Sequence, residues 1–440
     1  MKNDLTRGPV TSTMLRFALP MIAGNLLQQC YNLADTLIVG RYIGVDALAA
    51  VGSTYTLMTF LTSILIGLCM GSGAVFSCQI GAREPEALHD SVSAAFYLIG
   101  GSTLVLNLAV LAGIDPILRL LHAPAEIYST MKAYVQIIFL GLGFVFFYNF
   151  FSFLLRAQGN SMVPLYFLGA AAVLNIGLDL YFVRALGWGI RGAALATVLA
   201  QAVSGLGLGL YCWRTLPDLR PRRVHPGAKR AIYTRLLHFS LASCLQQSVM
   251  NFGILMIQGL VNSFGTLVMA AFAAAVKIDS LAYMPAQEFA NAYSLFISQN
   301  HGAGNAQRVR RGTRSAAAVS LSFCLLVSLF VAWAAPQLML CFVDSSETQI
   351  LAIGVEYLRI EGVCYCGIGL LFLLYGYYRG VGLPSMSLVL TVISLGTRVL
   401  LAYTLAPLPA IGVTGIWWSI PIGWLLADGF GLWYMRRRAR

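Results

Sequence analysis

"VPLYFLGAAAVLNIGLDLYFV", Val163 to Val183, reads as one helix crossing a bilayer. About 20 predominantly apolar residues span the hydrocarbon at ~1.5 Å per residue. Yet this stretch holds Asp179, with Asn175 one helical turn before it. An ionised carboxylate at that depth costs at least about 3 kcal/mol. So costly a group points to a buried polar site.

The apolar pattern recurs along the chain. Of 440 residues, 58% are hydrophobic and 10% charged, against about 25% charged in a soluble domain. Apolar runs cover 14–39, 47–79, 91–112, 128–154, 163–184, 192–213, 236–262, 268–299, 315–340, 350–376, 386–406 and 413–434. Twelve such spans predict an all-α polytopic membrane protein. Spans two and eight are long enough to tilt or to extend past the lipid. The longest polar stretch is 214–235, which leaves no room for a large soluble domain. The first apolar stretch is too long for a signal h-region and lacks a small-residue cleavage site, so it counts as span one.

Net charge is +12. The positive residues sit in short loops between spans, which fits a membrane protein and not a nucleic-acid partner. With the N-terminus inside, the inner side carries 21 of the 29 Lys and Arg, among them Lys2, Arg7, seven from Arg214 to Arg235, four from Arg308 to Arg314 and four from Arg436 to Arg440. The outer side has Arg41, Arg119, Lys132, Arg184 and Arg191. Both termini are therefore expected in the cytoplasm, with the chain in the cell (inner) membrane. The nine cysteines match no zinc or redox spacing and read as small core residues.

The chain repeats itself. "LLQQ" at 26–29 returns as "CLQQ" at 244–247, and "GAR" at 81–83 as "GAG" at 302–304. "RAQG" at 156–159 returns as "RGVG" at 379–382, and "GIRG" at 189–192 as "GVTG" at 412–415. The offsets are 218, 221, 223 and 223. Six spans per half keep both halves the same way up, a parallel repeat about the membrane normal. The expected division is an N-lobe, 1–213, a cytoplasmic linker, 214–235, and a C-lobe, 236–440. Two such lobes can enclose a cavity and rock against each other.

Span one carries Asn25, Gln28, Asn32 and Asp35 on one helix face, and Pro20 permits a bend. Asp35, Asp179 and Thr197 each lie roughly 8–9 Å below the outer end of their helix. Asn175 lies about one turn deeper. Three helices thus supply polar groups at one level. By offset, Asp35 maps to Gly253, Asp179 to Ala402 and Asn175 to Arg398, so the scaffold is duplicated but the acidic site is not, an asymmetry that argues for function because packing needs would be shared by both lobes. The second half has its own charges, Lys277, Asp279, Glu288, Arg359, Glu361 and Arg398. These fit either a network of ion pairs or a second coupling or substrate site. "GLGLGL" at 205–210 follows no strand and reads as close helix packing, not a phosphate loop. No P-loop, HExxH or GxSxG is present, so neither an ATP-driven pump nor an enzyme is expected.

Together these residues resemble the multidrug and toxic compound extrusion (MATE) family of secondary transporters, from about Leu15 to Tyr434. The likeness rests on "ALPMI" with Pro20, "YNLADTLIVGRYIGVDALAAVG" at 31–52, "QIGAR", "SQNHGAG" and "LNIGLDLYFV" followed by "GWGIRGAALATVLAQ". It implies two V-shaped six-helix bundles, alternating access and efflux of cationic, amphipathic, drug-like compounds. The proton-coupled prokaryotic branch implies a cation-coupling site at Asp35, Asn175, Asp179 and Thr197, with helix bending at Pro20. Substrate-cavity candidates are Gln28, Asn32, Asn149, Glu361 and Arg398. In another branch, acids on spans seven and ten bind sodium; here span seven has Gln246 and Gln247 and no acid.

The expected function is proton- or sodium-coupled antiport by a monomer, with no cofactor and no metal other than a sodium ion at Asp35 and Asp179. Two alternatives stand beside it. One is a lipid-linked oligosaccharide flippase, which Arg359 and Arg398 would suit. The other is an integral membrane enzyme, for which no catalytic constellation is found.

Overall fold

The computed structural model describes residues 4–120, 127–222, 224 and 229–439, and every regular element in them is helical. Lys2, His122, Arg223, His225 and Arg440 lie outside these residues. The first half runs α1 (Val10–Tyr42), α2 (Val45–Ala82), α3 (Pro85–Ala112), a short α4 (Ile114–Leu120), α5 (Tyr128–Leu140), α6 (Leu142–Ala157), α7 (Met162–Asp179) and α8 (Gly189–Thr215). A π-turn, Leu180–Ala185, follows α7 directly. The second half runs α9 (Lys229–Asn262), α10 (Thr266–Gly302), α11 (Ala306–Leu340), α12 (Thr348–Val363), α13 (Tyr365–Gly380), α14 (Pro384–Leu405) and α15 (Thr414–Ala439). The described residues form two compact units, one built on Leu19–Cys244, the other on Leu5–Ala18 with Leu245–Arg440.

Among the described residues, nine helices are long and apolar enough to cross a bilayer. Two further spans are bent pairs, α5 with α6 at 43° and α12 with α13 at 52°, which brings the number to eleven. The expected twelfth is α15. At 26 residues it is long enough, but tryptophans, glycines and Asp428 dilute its aliphatic content. The long spans two and eight are α2 and α10, of 38 and 37 residues. Either would measure well over 50 Å at ~1.5 Å per residue, more than the ~30 Å hydrocarbon core.

The repeat is written into the backbone. The two broken spans break at Gly141 and Cys364, 223 positions apart. Left-handed residues fall in the same register: Gly44 with Gly265 and Arg83 with Gly304 at offset 221, Gly159 with Gly382 and Gly189 with Gly412 at offset 223. Arg83 is the one non-glycine with positive φ among the described residues. It ends α2 with φ 59° and ψ 42°, its N–H reaching the carbonyls of Gln79 and Ile80. Glycine would adopt this conformation at lower cost, and Gly304 does so in the second half.

Packing follows from local composition. The glycines of "GLGLGL" lie where α8 meets its neighbours: a Cβ on Gly205 would stand 2.4 Å from the Phe144 carbonyl oxygen, and one on Gly207 would stand 2.8 Å from the Phe167 ring. Phe76, Phe96, Phe146, Phe147, Phe150 and Phe151 fill the core behind them with ring centroids 5.3–6.4 Å apart. In the second unit, Arg308 gathers the N-terminal segment. Its guanidinium donates to the carbonyls of Leu5 at 3.1 and 3.3 Å, Arg7 at 2.7 Å and Gly8 at 2.6 Å. Gln299 and Asn300 of "SQNHGAG" hold the two backbone groups of Leu5 at 3.2 Å. The cysteines are all free, and not all are core: Cys30 and Cys341 are exposed.

Candidate functional site

Asp179 is the last residue of α7, at the point where the helix widens into the π-turn. Such turns concentrate at functional sites. Phe182 in this turn stacks on Trp188 at 5.1 Å and 15°. Gly192 lets α8 close against both, since a Cβ there would lie 3.0 Å from Phe182 and 3.1 Å from Trp188. That docking fixes the start of α8 and brings Thr197 beside Asn175. The Asn175 Nδ2 donates to Thr197 Oγ1 at 3.5 Å, and Thr197 Oγ1 donates to the Ala193 carbonyl at 3.1 Å.

Asp35 reaches from α1 to the Asp179 carboxyl. Asp179 is 0% exposed and Asn175 1%; Asp35 is half-buried. Four oxygens here receive no hydrogen bond from any other neighbouring group: Asp35 Oδ1, Asn175 Oδ1 and both Asp179 oxygens, the two carboxyls having only each other within hydrogen-bond reach. Tyr134 of α5 is buried within electrostatic range of both acids and of Tyr31. The structure thus unites all four residues expected to form the cation-coupling site. The result is a largely buried cluster rich in acceptors, a donor set for a proton or a hard monovalent cation. No group of three or more His, Cys, Asp or Glu able to hold a metal occurs among the described residues.

The other candidates divide. Pro20 is buried in α1, which runs as one helix through it. Gln28 is exposed and Asn32 half-buried. Asn149 Nδ2 donates to the Val145 carbonyl of its own helix at 2.9 Å.

Glu361 (1% exposed) and Asp279 (5%) face each other in the second unit. Tyr357 and Tyr365 stand beside them, and Arg398 lies within electrostatic range of both. The Tyr365 hydroxyl and the Glu361 carboxyl stand within hydrogen-bond reach of Asp279, while Arg398 Nε has no hydrogen-bond partner. Tyr357 is held by aromatic packing, edge-on to Trp417 at 4.9 Å and to Phe272 at 5.5 Å. Lys277 and Arg359 are exposed, so the six charges of the second half do not form one network. An acidic pair does exist in this half, on α10 and α12, where residue-by-residue offsets do not look for it.

The MatE family model matches residues 20–181 and 240–404. The chain belongs to the MatE family. The match covers both halves of the repeat and includes Asp35, Asn175 and Asp179. The chain is 31% identical to "Probable multidrug resistance protein YpnP" of Bacillus subtilis (strain 168), over 89% of this chain and 87% of that one. It is 25% identical to the "FAD transporter" of Shewanella oneidensis, over 99% and 96%. Among solved structures, an outward-facing multidrug resistance MATE family transporter superposes with a TM-score of 0.92 at 26% identity, covering 99% and 97%. As a MatE protein, the chain is a multi-pass membrane transporter and not an enzyme.

Two buried groups of this MatE chain escape the sequence reading. Tyr134 carried a signal: it precedes Tyr357 by 223 positions, the offset of the repeat. Asp428 of α15 is 4% exposed with both oxygens unpartnered, beside Gly367. The cost argument that singled out Asp179 applies to it equally.

Proposed function

We propose that this MatE transporter is a monomeric efflux antiporter of the cell membrane, with both termini in the cytoplasm. It exports small cationic, amphipathic compounds against an inward flow of protons or sodium, by alternating access of an N-lobe, 1–213, and a C-lobe, 236–440. The observation that carries the reading is the set of four oxygens around Asp35 and Asp179 that receive no hydrogen bond from any other neighbouring group. Two carboxyls buried side by side attract a cation strongly, and one cation displaces another. Facing outward, the pair takes up the coupling ion and releases the drug. Facing inward, it loses the ion and binds drug again. The name of the Bacillus subtilis relative supports a drug-like substrate.

The test is efflux from proteoliposomes under an imposed proton or sodium gradient, with Asp35→Asn and Asp179→Asn beside wild type. Gradient-driven efflux is expected in wild type and absent in both variants. Full efflux in either variant would overturn the reading. A flippase for lipid-linked oligosaccharides would call for a cavity lined with arginine. Arg359 is exposed and Arg398 is within electrostatic range of Asp279 and Glu361, so efflux is preferred.

A further inference from the structure

A cavity of about 560 Å³ lies beside the last turns of α8, inside the ~300–1,000 Å³ range of small-molecule sites. Phe147 and Phe151 of α6 and Tyr97 of α3 line it, with Leu206, Leu210 and Trp213 of α8. Pro221, in the segment after α8, lines it too. We propose that this cavity holds an acyl chain of one anionic phospholipid, whose phosphate is bound by Arg220 and Arg222. The lipid comes from the leaflet that borders residues 214–235, the cytoplasmic one in the orientation proposed above.

The shape follows from "GLGLGL". Leu206 and Leu210 are four residues apart and share a helix face, and they are 50% and 51% exposed. Gly209 brings α8 against α6, since a Cβ there would stand 3.1 Å from the Phe151 ring and 3.4 Å from the Phe147 ring. The helices touch at the glycine, while the leucines flank an apolar cleft. From Leu206 to Trp213 the helix rises roughly 10 Å, against roughly 15 Å for the hydrocarbon of one leaflet. The cleft thus has the depth of an acyl chain. Trp213 stands at its polar end, as tryptophan does at a membrane interface.

That polar end is preorganised. Arg220 Nε donates to the Trp213 carbonyl at 3.0 Å, and its guanidinium carbon lies 5.0 Å from the centre of the Trp213 ring. His89 Nε2 donates to the Arg220 carbonyl at 3.0 Å, and the Arg222 N–H donates to Ser93 Oγ at 3.1 Å. His89 and Ser93 are buried on α3, so the segment after α8 is pinned beside the cavity. Both arginines are exposed, and among the described residues neither makes an ion pair. From 214 to 222 three arginines stand against one acid, Asp218. The planar fork of a guanidinium matches phosphate oxygens, and basic clusters next to a span attract anionic headgroups. The same charge repels a cationic drug, which argues against a place on the export path.

Native mass spectrometry of the purified full chain tests this, with phosphatidylglycerol and phosphatidylcholine of identical acyl chains as probes. Wild type should retain phosphatidylglycerol in preference. Arg220→Gln/Arg222→Gln should weaken that binding at least about tenfold, from about fivefold per arginine, and leave phosphatidylcholine unchanged. Arg220→Lys/Arg222→Lys should keep the preference. Leu210→Trp fills the cleft and should lose phosphatidylglycerol with both arginines intact. Equal retention of the two lipids by wild type overturns the proposal, as does an R220Q/R222Q variant that binds phosphatidylglycerol as tightly as wild type. An L210W variant that binds as tightly as wild type overturns the role of the cavity. Where a variant does not fold, wild type alone decides. Phosphatidylglycerol should raise its unfolding midpoint more than phosphatidylcholine does, and high salt should shrink the difference; no difference at low salt overturns the proposal. Efflux enters none of these readouts, so failure of the antiport reading leaves them unchanged.

Discussion

Gly141 and Val198 meet where the break in the fourth span touches α8: a Cβ on Gly141 would lie 2.9 Å from Val198 Cγ2 and 3.0 Å from Gln201 Oε1. Val198 adjoins Thr197, so the bend and the acidic site share a contact. Gly141→Ala should therefore destabilise the protein by about 1–3 kcal/mol, the usual cost of overpacking. Cys364→Ala at the equivalent break should cost under ~1.5 kcal/mol. Thermal unfolding of the two variants checks the contrast.

Asp179→Asn should separate coupling from stability. The carboxyl it alters has Asp35 within hydrogen-bond reach, and an amide can still donate to that partner, so no native bond need be lost. The unfolding midpoint should hold or rise, within about 1 kcal/mol of wild type or above it. A loss of several kcal/mol would show that the carboxylate is structural.

Arg308→Ala should release the N-terminal segment. Four charge-assisted hydrogen bonds to Leu5, Arg7 and Gly8 disappear together. Bonds to charged groups contribute about 1.5–3 kcal/mol each at most and are not additive. A protease cutting near residues 5–9 should act at least about tenfold faster on the variant, while α11 keeps its protection.

Asp115 of α4, outside the spans, makes a pH-dependent contact with the N-terminal end of α5. Lys132 Nζ donates to its two oxygens at 2.7 and 2.8 Å and Tyr128 Oη donates at 2.8 Å. Lys132 first, and then Tyr128, hold this carboxyl below the usual aspartate range. A depressed folded-state value means that the contribution is present above the ordinary aspartate pKa of about 3.9 and is lost as pH falls through the depressed value. The difference in unfolding midpoint between wild type and Asp115→Asn should be constant from about pH 8 to 5. It should begin to shrink as pH falls below about 4 and vanish only below the depressed folded-state value.

Much of this was legible from residue type and spacing. The span pattern, the repeat and the grouping of Asp35, Asn175, Asp179 and Thr197 follow from hydropathy, offset and depth, because a helix converts residue number into height. Direction is less legible. Gln28 shares a helix face with Asp35 in a periodicity argument but is exposed. The α1 face is wider than the site it serves. The acids of the second unit are visible in the sequence, but their pairing is not, for another reason. They sit on α10 and α12, so matching positions one to one finds glycine and alanine where the first unit has acids. Only the three-dimensional meeting of Asp279 with Glu361 reveals the pair. Asp428 was missed because an apolar span absorbed it, although its burial costs as much.

The π-turn after Asp179 has a consequence for phase. It holds one residue more per turn than an α-helix, so the chain beyond it is rotated by about 100° relative to a continuous helix. Asn175 and Asp179 keep α-helical phase with each other; Phe182 and Arg184 do not. Removing a single residue from 180–185 would turn the stacking of Phe182 on Trp188 away from α8 while leaving every residue type of the site intact. The site thus depends on a count of residues as well as on their identities.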